Sequence, residues 1–184
     1  MRCTGNQSHK THTVDGKFLF SCNSLNGSRT YRHDSLKWVL ARYLRAWHGA
    51  GTTVAVEPAN FRTYEPSLQT QPDIIAVTRS GHRLFIDLTV VHPGPAHGSA
   101  TTPGAAARQK ADYKRTRQYS SFNHSRSRLV IFALETFGHV SSEARTFLKS
   151  LPRPPDNRRP PSINSLYRDL QRSLWRANAI FPRR

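Results

Sequence analysis

Residues 71–91 read QPDIIAVTRSGHRLFIDLTVV. Two apolar runs, 74–77 and 84–91, flank Thr78-Arg79-Ser80-Gly81-His82, a polar connection with one glycine. That pattern predicts a β-hairpin. In the second strand, alternation puts Leu84, Ile86, Leu88 and Val90 on one face and Phe85, Asp87, Thr89 and Val91 on the other. Asp87 therefore sits mid-strand among apolar neighbours, where a carboxylate is costly unless it is paired or meets a cation. A three-residue turn at Ser80-Gly81-His82 would set Asp73 opposite Thr89 and Ile75 opposite Asp87. Asp73 and Asp87 would then be diagonal neighbours on one face, roughly 7–8 Å apart at the α-carbons. A two-residue turn would send them to opposite faces. Cooperation between the two acids thus requires an odd-length turn or a bulge.

Upstream, residues 52–57 (TTVAVE) read as a strand closed by Pro58, with Glu57 as a third candidate acid. Before it, Leu36, Val39, Leu40, Tyr43, Leu44 and Trp47 form one apolar stripe, predicting a helix capped at Asp34 or Ser35. Trp38, Tyr43 and Trp47 read first as core. Downstream, Thr102-Pro103 starts a helix over 103–120 that carries Lys110 and Lys114 one turn apart. Residues 129–134 (LVIFAL) read as a buried strand able to join in parallel through a right-handed crossover. Ser141 or Ser142 caps a further helix with Ala144, Phe147, Leu148 and Leu151 on one face. A last helix, 163–178, has Leu166, Leu170 and Leu174 on one side and Arg168, Arg172 and Arg176 on another.

The fold class is α/β: a small mixed sheet, an antiparallel hairpin plus a crossover strand, flanked by helices. The expected organisation is a polar Cys/His segment at 1–30, an α/β domain at 31–151, a Pro/Arg-rich linker at 152–162 and a basic helix and tail at 163–184.

The 184 residues carry 28 Lys+Arg, of which 22 are Arg, against 11 Asp+Glu, a net charge of +17. Residues 1–100 hold 11 basic and 6 acidic groups, net +5; residues 101–184 hold 17 and 5, net +12. Such an excess points to a polyanionic partner, nucleic acid before an anionic membrane. No run of 18 apolar residues is present, which excludes a transmembrane helix, and the polar start is no secretory signal. Two cysteines cannot make a disulfide framework. Cys3, His9, His12 and Cys22 are too irregularly spaced for a recognisable zinc site, so Zn²⁺ at Cys3/Cys22 is not expected.

Two or three carboxylates with water suit Mg²⁺, or Mn²⁺, as hard cations. Phosphodiester hydrolysis uses such a metal together with a nearby cationic side chain. In order, Arg32-His33-Asp34, Glu57-Pro58, Pro72-Asp73, Asp87-Leu88-Thr89-Val90-Val91, the Lys-bearing helix ending in Tyr119 and Glu135-Thr136-Phe137-Gly138 resemble the PD-(D/E)XK nuclease superfamily. More closely, they resemble the restriction-endonuclease-like domain of site-specific non-LTR retrotransposons. The resemblance covers roughly residues 30–151. It implies a metal-dependent DNA endonuclease of mobile-element origin in which Asp73 and Asp87 hold the metal with Glu57 assisting. The usual lysine two residues after the second acid is Thr89 here. The resemblance moves that role to the following helix, Lys114 first and Lys110 second. Arg115, Arg117, Arg168, Arg172 and Arg176 would contact the nucleic-acid backbone, DNA first and RNA second. It also implies a separated nuclease-like piece, since no reverse-transcriptase motif is present, and a nuclear location, which basic clusters near Lys114 and Arg158 suit.

Each residue also has a plainer reading. Asp73 caps a turn after Pro72, Asp87 pairs with a buried Arg or hydroxyl, and Glu57 ends a strand. Lys110 and Lys114 then belong to a solvated helix face. The corresponding alternative function is a decayed or domesticated nuclease fold that only binds nucleic acid, within a ribonucleoprotein.

Overall fold

The structure, a computed structural model, describes residues 26–48, 52–93, 102–122, 127–151 and 161–179. The Cys3/Cys22 segment and most of the Pro/Arg-rich linker lie outside the described residues. Among the described residues, five helices and four strands follow in the order α1 (Asn26–His48), β1 (Thr53–Val56), α2 (Phe61–Tyr64), β2 (Ile74–Val77), β3 (Arg83–Val91), α3 (Ala105–Arg117), β4 (Ser127–Glu135), α4 (Ser142–Lys149) and α5 (Ile163–Ala179). The strands form one open mixed sheet in the order β1-β2-β3-β4. The first three are antiparallel, and β4 joins β3 in parallel after α3 crosses over. This is the mixed α/β layer expected from the sequence, with β1 added as the edge of the hairpin.

The hairpin turn differs by one residue from the expectation. Val77 pairs with Arg83 and Ile74 with Ile86, so the turn is Arg79-Ser80-Gly81 and not Ser80-Gly81-His82. The Gly81 N–H donates to the Thr78 carbonyl at 2.9 Å, and Gly81 takes φ +78°. A type I turn followed by a left-handed residue closes a three-residue hairpin, and glycine fills that last position without steric cost. Continued by one residue, this register sets Asp73 directly opposite Asp87, not opposite Thr89. The turn remains odd, so the two acids keep a common face.

Helix α1 begins at Asn26, several residues before the expected caps. Asp34 instead accepts from the Lys37 ammonium at 2.8 Å, and the Ser35 hydroxyl donates back to the Tyr31 carbonyl at 2.7 Å. Both side chains thus find partners inside the helix, where a hydroxyl can bond the carbonyl four residues earlier. Trp38 corrects a second expectation. It is 55 % exposed, while Tyr43 and Trp47 are buried. Helix α3 starts after Gly104, whose φ of +84° ends the preceding turn. Ser141 caps α4, its hydroxyl accepting from the Ala144 N–H at 3.3 Å.

Helices α1, α4 and α5 cover one face of the sheet. Leu36, Leu40 and Leu44 of α1, Phe147 and Leu148 of α4, and Leu166, Leu170 and Leu174 of α5 meet Ile74, Ile86, Leu88, Val130 and Phe132 there. The last helix, though set off in sequence by the linker, belongs to this core. The other face is covered by α3 and the 61–68 segment, through Ala106, Ala107, Ala111, Tyr119 and Leu68 against Ile75, Phe85, Leu129, Ile131 and Ala133. No helix among the described residues is long and apolar enough to cross a membrane.

Candidate active site

The β2–β3 ladder ends at the Ile74–Ile86 pair, after which the chain turns toward β1 and the Asp73 carbonyl accepts from the Glu57 N–H at 2.8 Å. Two residues further along β3, the Leu88 N–H has lost its strand neighbour. Asp73 Oδ2 takes that N–H at 2.6 Å, and His33 Nε2 lies 3.0 Å from the Leu88 carbonyl and 3.2 Å from the same Asp73 oxygen. Both neighbours of Nε2 are acceptors, so this nitrogen carries a proton. His33 Nδ1 lies 3.5 Å from Asp34. Burial opposes charge on His33, but the bond to Asp73, the Asp73 charge and the Leu88 carbonyl outweigh it and raise its pKa. Burial likewise opposes charge on Asp73, yet the His33 and Leu88 bonds hold its pKa below the ordinary value.

Asp87 is 6 % exposed. It faces α3, as the alternation of β3 requires, and its Oδ2 accepts from the Lys114 ammonium at 2.8 Å. Burial pushes the Asp87 carboxyl up to about 6, with Lys114 pulling it down and the Asp73 carboxyl, in hydrogen-bond contact, raising it further. Beneath the pair, the Tyr119 hydroxyl is buried with no hydrogen-bond partner, and burial together with the Asp87 and Asp73 charges raises its pKa. Asp73, Asp87 and Lys114 are thus brought together from β2's leading edge, β3 and α3.

Lys110, one turn earlier, makes no contact with the acids; its ammonium lies over the Tyr113 ring at 5.1 Å. Glu57 has a different placement from the one alternation implies. Val54 and Val56 pack toward α1, which would put Glu57 on the α3 face beside Asp73. Glu57 instead adopts φ +47°, which breaks the strand geometry, and its carboxylate accepts from Lys37 of α1. Glu57 lines the same cleft as Lys114 and His33, along with Arg29, Thr30, Arg32, Asp34, Leu88, Thr89 and Val90, in a volume of about 350 Å³. Among the described residues no group of three or more His, Cys, Asp or Glu side chains has a metal-binding arrangement. Among the described residues, Asp73 and Asp87 are two acids close enough to shift each other's titration.

Arg115 pairs with Glu143 on the outer side of α3, and Arg117 is exposed near the end of that helix. Arg168, Arg172 and Arg176 line the exposed side of α5, Arg172 lying 4.0 Å from Asp169. These five arginines occupy two surfaces and do not contact the acid pair.

Sequence reasoning passed over Lys37 and Tyr119 as functional neighbours. Lys37 did carry a signal: it lies at helical spacing within Leu36, Leu40, Ala41 and Leu44, and it is 1 % exposed. A lysine inside an apolar stripe needs an acid, and Asp34 and Glu57 provide two. Tyr119 had only its place after the lysines, and nothing local marked its hydroxyl as turned toward the carboxylates. No protein-family model matches the chain, and no curated protein matches it significantly in sequence.

Proposed function

We propose that this chain is a metal-dependent endonuclease-like protein that hydrolyses phosphodiester bonds in DNA, on a restriction-endonuclease-like version of the α/β layer. The observation that carries the reading is the 2.8 Å contact from Lys114 to Asp87 beside Asp73, with Lys114 also lining a cleft together with His33, Arg29 and Arg32. Lysine on a separate helix reaching a buried strand carboxylate brings two acids and one ammonium together from positions 14 and 27 residues apart in sequence.

The residues fit a divalent cation. Two carboxylates in contact repel once both are ionised, and a proton or a cation relieves that repulsion. Each acid has committed one oxygen within the protein, Asp73 to Leu88 and His33, Asp87 to Lys114. The orphaned Tyr119 hydroxyl next to them suits an ordered water. Asp73 and Asp87 would hold Mg²⁺ or Mn²⁺, with water filling the remaining positions as these ions favour. When bound, the ion supplies Lewis-acid polarisation of the phosphoryl oxygen and a more acidic water. Lys114 offers its ammonium protons to a non-bridging phosphate oxygen as negative charge builds there. His33 fixes the orientation of Asp73, and Lys37 draws Glu57 away from the pair. Arg115, Arg117, Arg168, Arg172 and Arg176 supply positive charge along α3 and α5 for backbone phosphates.

Nicking of supercoiled plasmid tests this. Wild type is expected to nick with Mg²⁺ or Mn²⁺ and not in EDTA. Asp73→Ala and Asp87→Ala should fall to background, and Lys114→Met should lose about 100-fold. Unchanged nicking in both aspartate variants overturns the reading. A wild-type protein that binds DNA or RNA with strong salt dependence, yet never nicks, establishes the binding-only alternative. That alternative draws on the same contacts, since His33 and Lys114 already satisfy one oxygen of each acid without a metal.

A further inference from the structure

Arg32 is 6 % exposed, on α1, one residue before His33. Guanidinium groups this deeply buried are ordinarily paired with a carboxylate, because an isolated buried charge is strongly disfavoured. Arg32 has no acid against it among the described residues. Its Nη1 donates to Asn178 Oδ1 at 3.1 Å, a neutral acceptor, and its Nε is buried with no hydrogen-bond partner. Burial and the neighbouring Arg29 charge both act against its protonated form. Arginine stays charged regardless. The Arg29 and Arg32 charges thus lie close to each other, and Lys114 lines the same cleft.

The arrangement is also built rather than incidental. Asn178, near the end of α5, donates its own amide to the Thr136 carbonyl at 3.2 Å just beyond β4. The asparagine therefore bridges the sheet end to Arg32 and fixes the rotamer of the guanidinium. Such bracing orients a planar fork, and the fork matches the oxygens of a phosphate.

We infer that Arg32, with Arg29 beside it, forms a phosphate-binding site in the cleft, braced by Asn178 and separate from the Asp73–Asp87 pair. Its ligand is a nucleic-acid phosphate adjoining the one that faces Lys114. This rests on the nucleic-acid reading of the cleft and adds a positioning contact to it: Arg32 sets which phosphate lies over the acids. Asn178 acts only through Arg32.

The test is binding of a short fluorescent DNA duplex, in EDTA, across a salt series, by anisotropy. Arg32→Gln should weaken binding about tenfold. It should also lower the slope of log Kd against log salt by about 0.9, the value for one phosphate contact. Arg32→Lys should keep the slope and recover only part of the affinity. Asn178→Ala, which leaves the charge in place, should weaken binding a few-fold with the slope unchanged. Inorganic phosphate should raise the melting temperature of wild type more than that of Arg32→Gln. Arg62→Gln, a surface charge on α2, is the comparison for non-specific loss. The phosphate site is overturned if Arg32→Gln matches Arg62→Gln in affinity and slope. Should Arg32→Gln fail to fold, Asn178→Ala binding as tightly as wild type overturns it instead. Failure of the endonuclease reading looks different: binding follows the pattern above, but no variant or wild type nicks DNA with metal.

Discussion

The two faces of the sheet are filled in opposite ways. Toward α1, α4 and α5, β-strand positions present Ile74, Ala76, Leu84, Ile86, Leu88, Val130, Phe132 and Leu134 to leucines and aromatics. Toward α3, the same strands present Phe85 and Ile131 but also Asp87, Thr89 and Glu135, all buried, against a helix that contributes three alanines. The first face is packed for stability. The second has small helix residues that let α3 approach closely, and polar groups that a purely structural face would replace with apolar ones. The difference marks the crossover side as the place for the proposed site, where one short helix comes close enough for Lys114 to reach the strand.

This contrast breaks first on the apolar face. Phe132→Ala should cost about 3–5 kcal/mol in urea unfolding at neutral pH. Thr89→Val on the opposite face, which trades a hydroxyl for a methyl group, should stay within about 1 kcal/mol, the net worth of one hydroxyl hydrogen bond. Equal costs at both positions would mean that the two faces are packed alike.

The next effect depends on pH. The Asp87 carboxyl is raised to about 6, chiefly by burial. A raised carboxyl favours the folded state in its protonated form. Its stabilising contribution is therefore complete below the unfolded value, about 3.9, and is lost as pH rises through about 6. Asp87→Asn should accordingly melt higher than wild type at pH 8, and the gap should close as pH falls below about 4. A melting difference that grows toward acid would reverse the sign and remove the buried-acid account.

The smallest effect belongs to the solvent side of α3. Arg115 and Glu143 form a pair that is substantially exposed. Arg115→Ala should change stability by less than about 0.5 kcal/mol in the same unfolding assay. A larger loss would make this pair part of what docks α3 on the sheet.

Much of the scaffold was legible in order. The alternation in 84–91 assigned Asp87 to the face of Phe85, and the apolar run near Ile131 marked a strand buried on both sides. The odd turn was legible as a requirement, but its position was not. Ser80-Gly81-His82 and Arg79-Ser80-Gly81 are both acceptable three-residue turns, and only the left-handed Gly81 with its bond to Thr78 selects the second. The start of α1 was missed because Asp34 and Ser35 are good caps that found other partners within the helix. Trp38 was misplaced because an apolar residue next to an apolar stripe carries no mark of the side it takes.

From the chain alone came the strand faces, the odd turn as the condition for the two acids to share a side, and the excess of arginine, because these depend on residue type and on periods of two and 3.6 that local geometry imposes. Which lysine meets Asp87, why Glu57 turns to Lys37, and that Arg32 lies buried without an acid were settled only by tertiary packing. Each of those depends on the distance between elements far apart in sequence, and such distances are set by how the helices dock on the sheet.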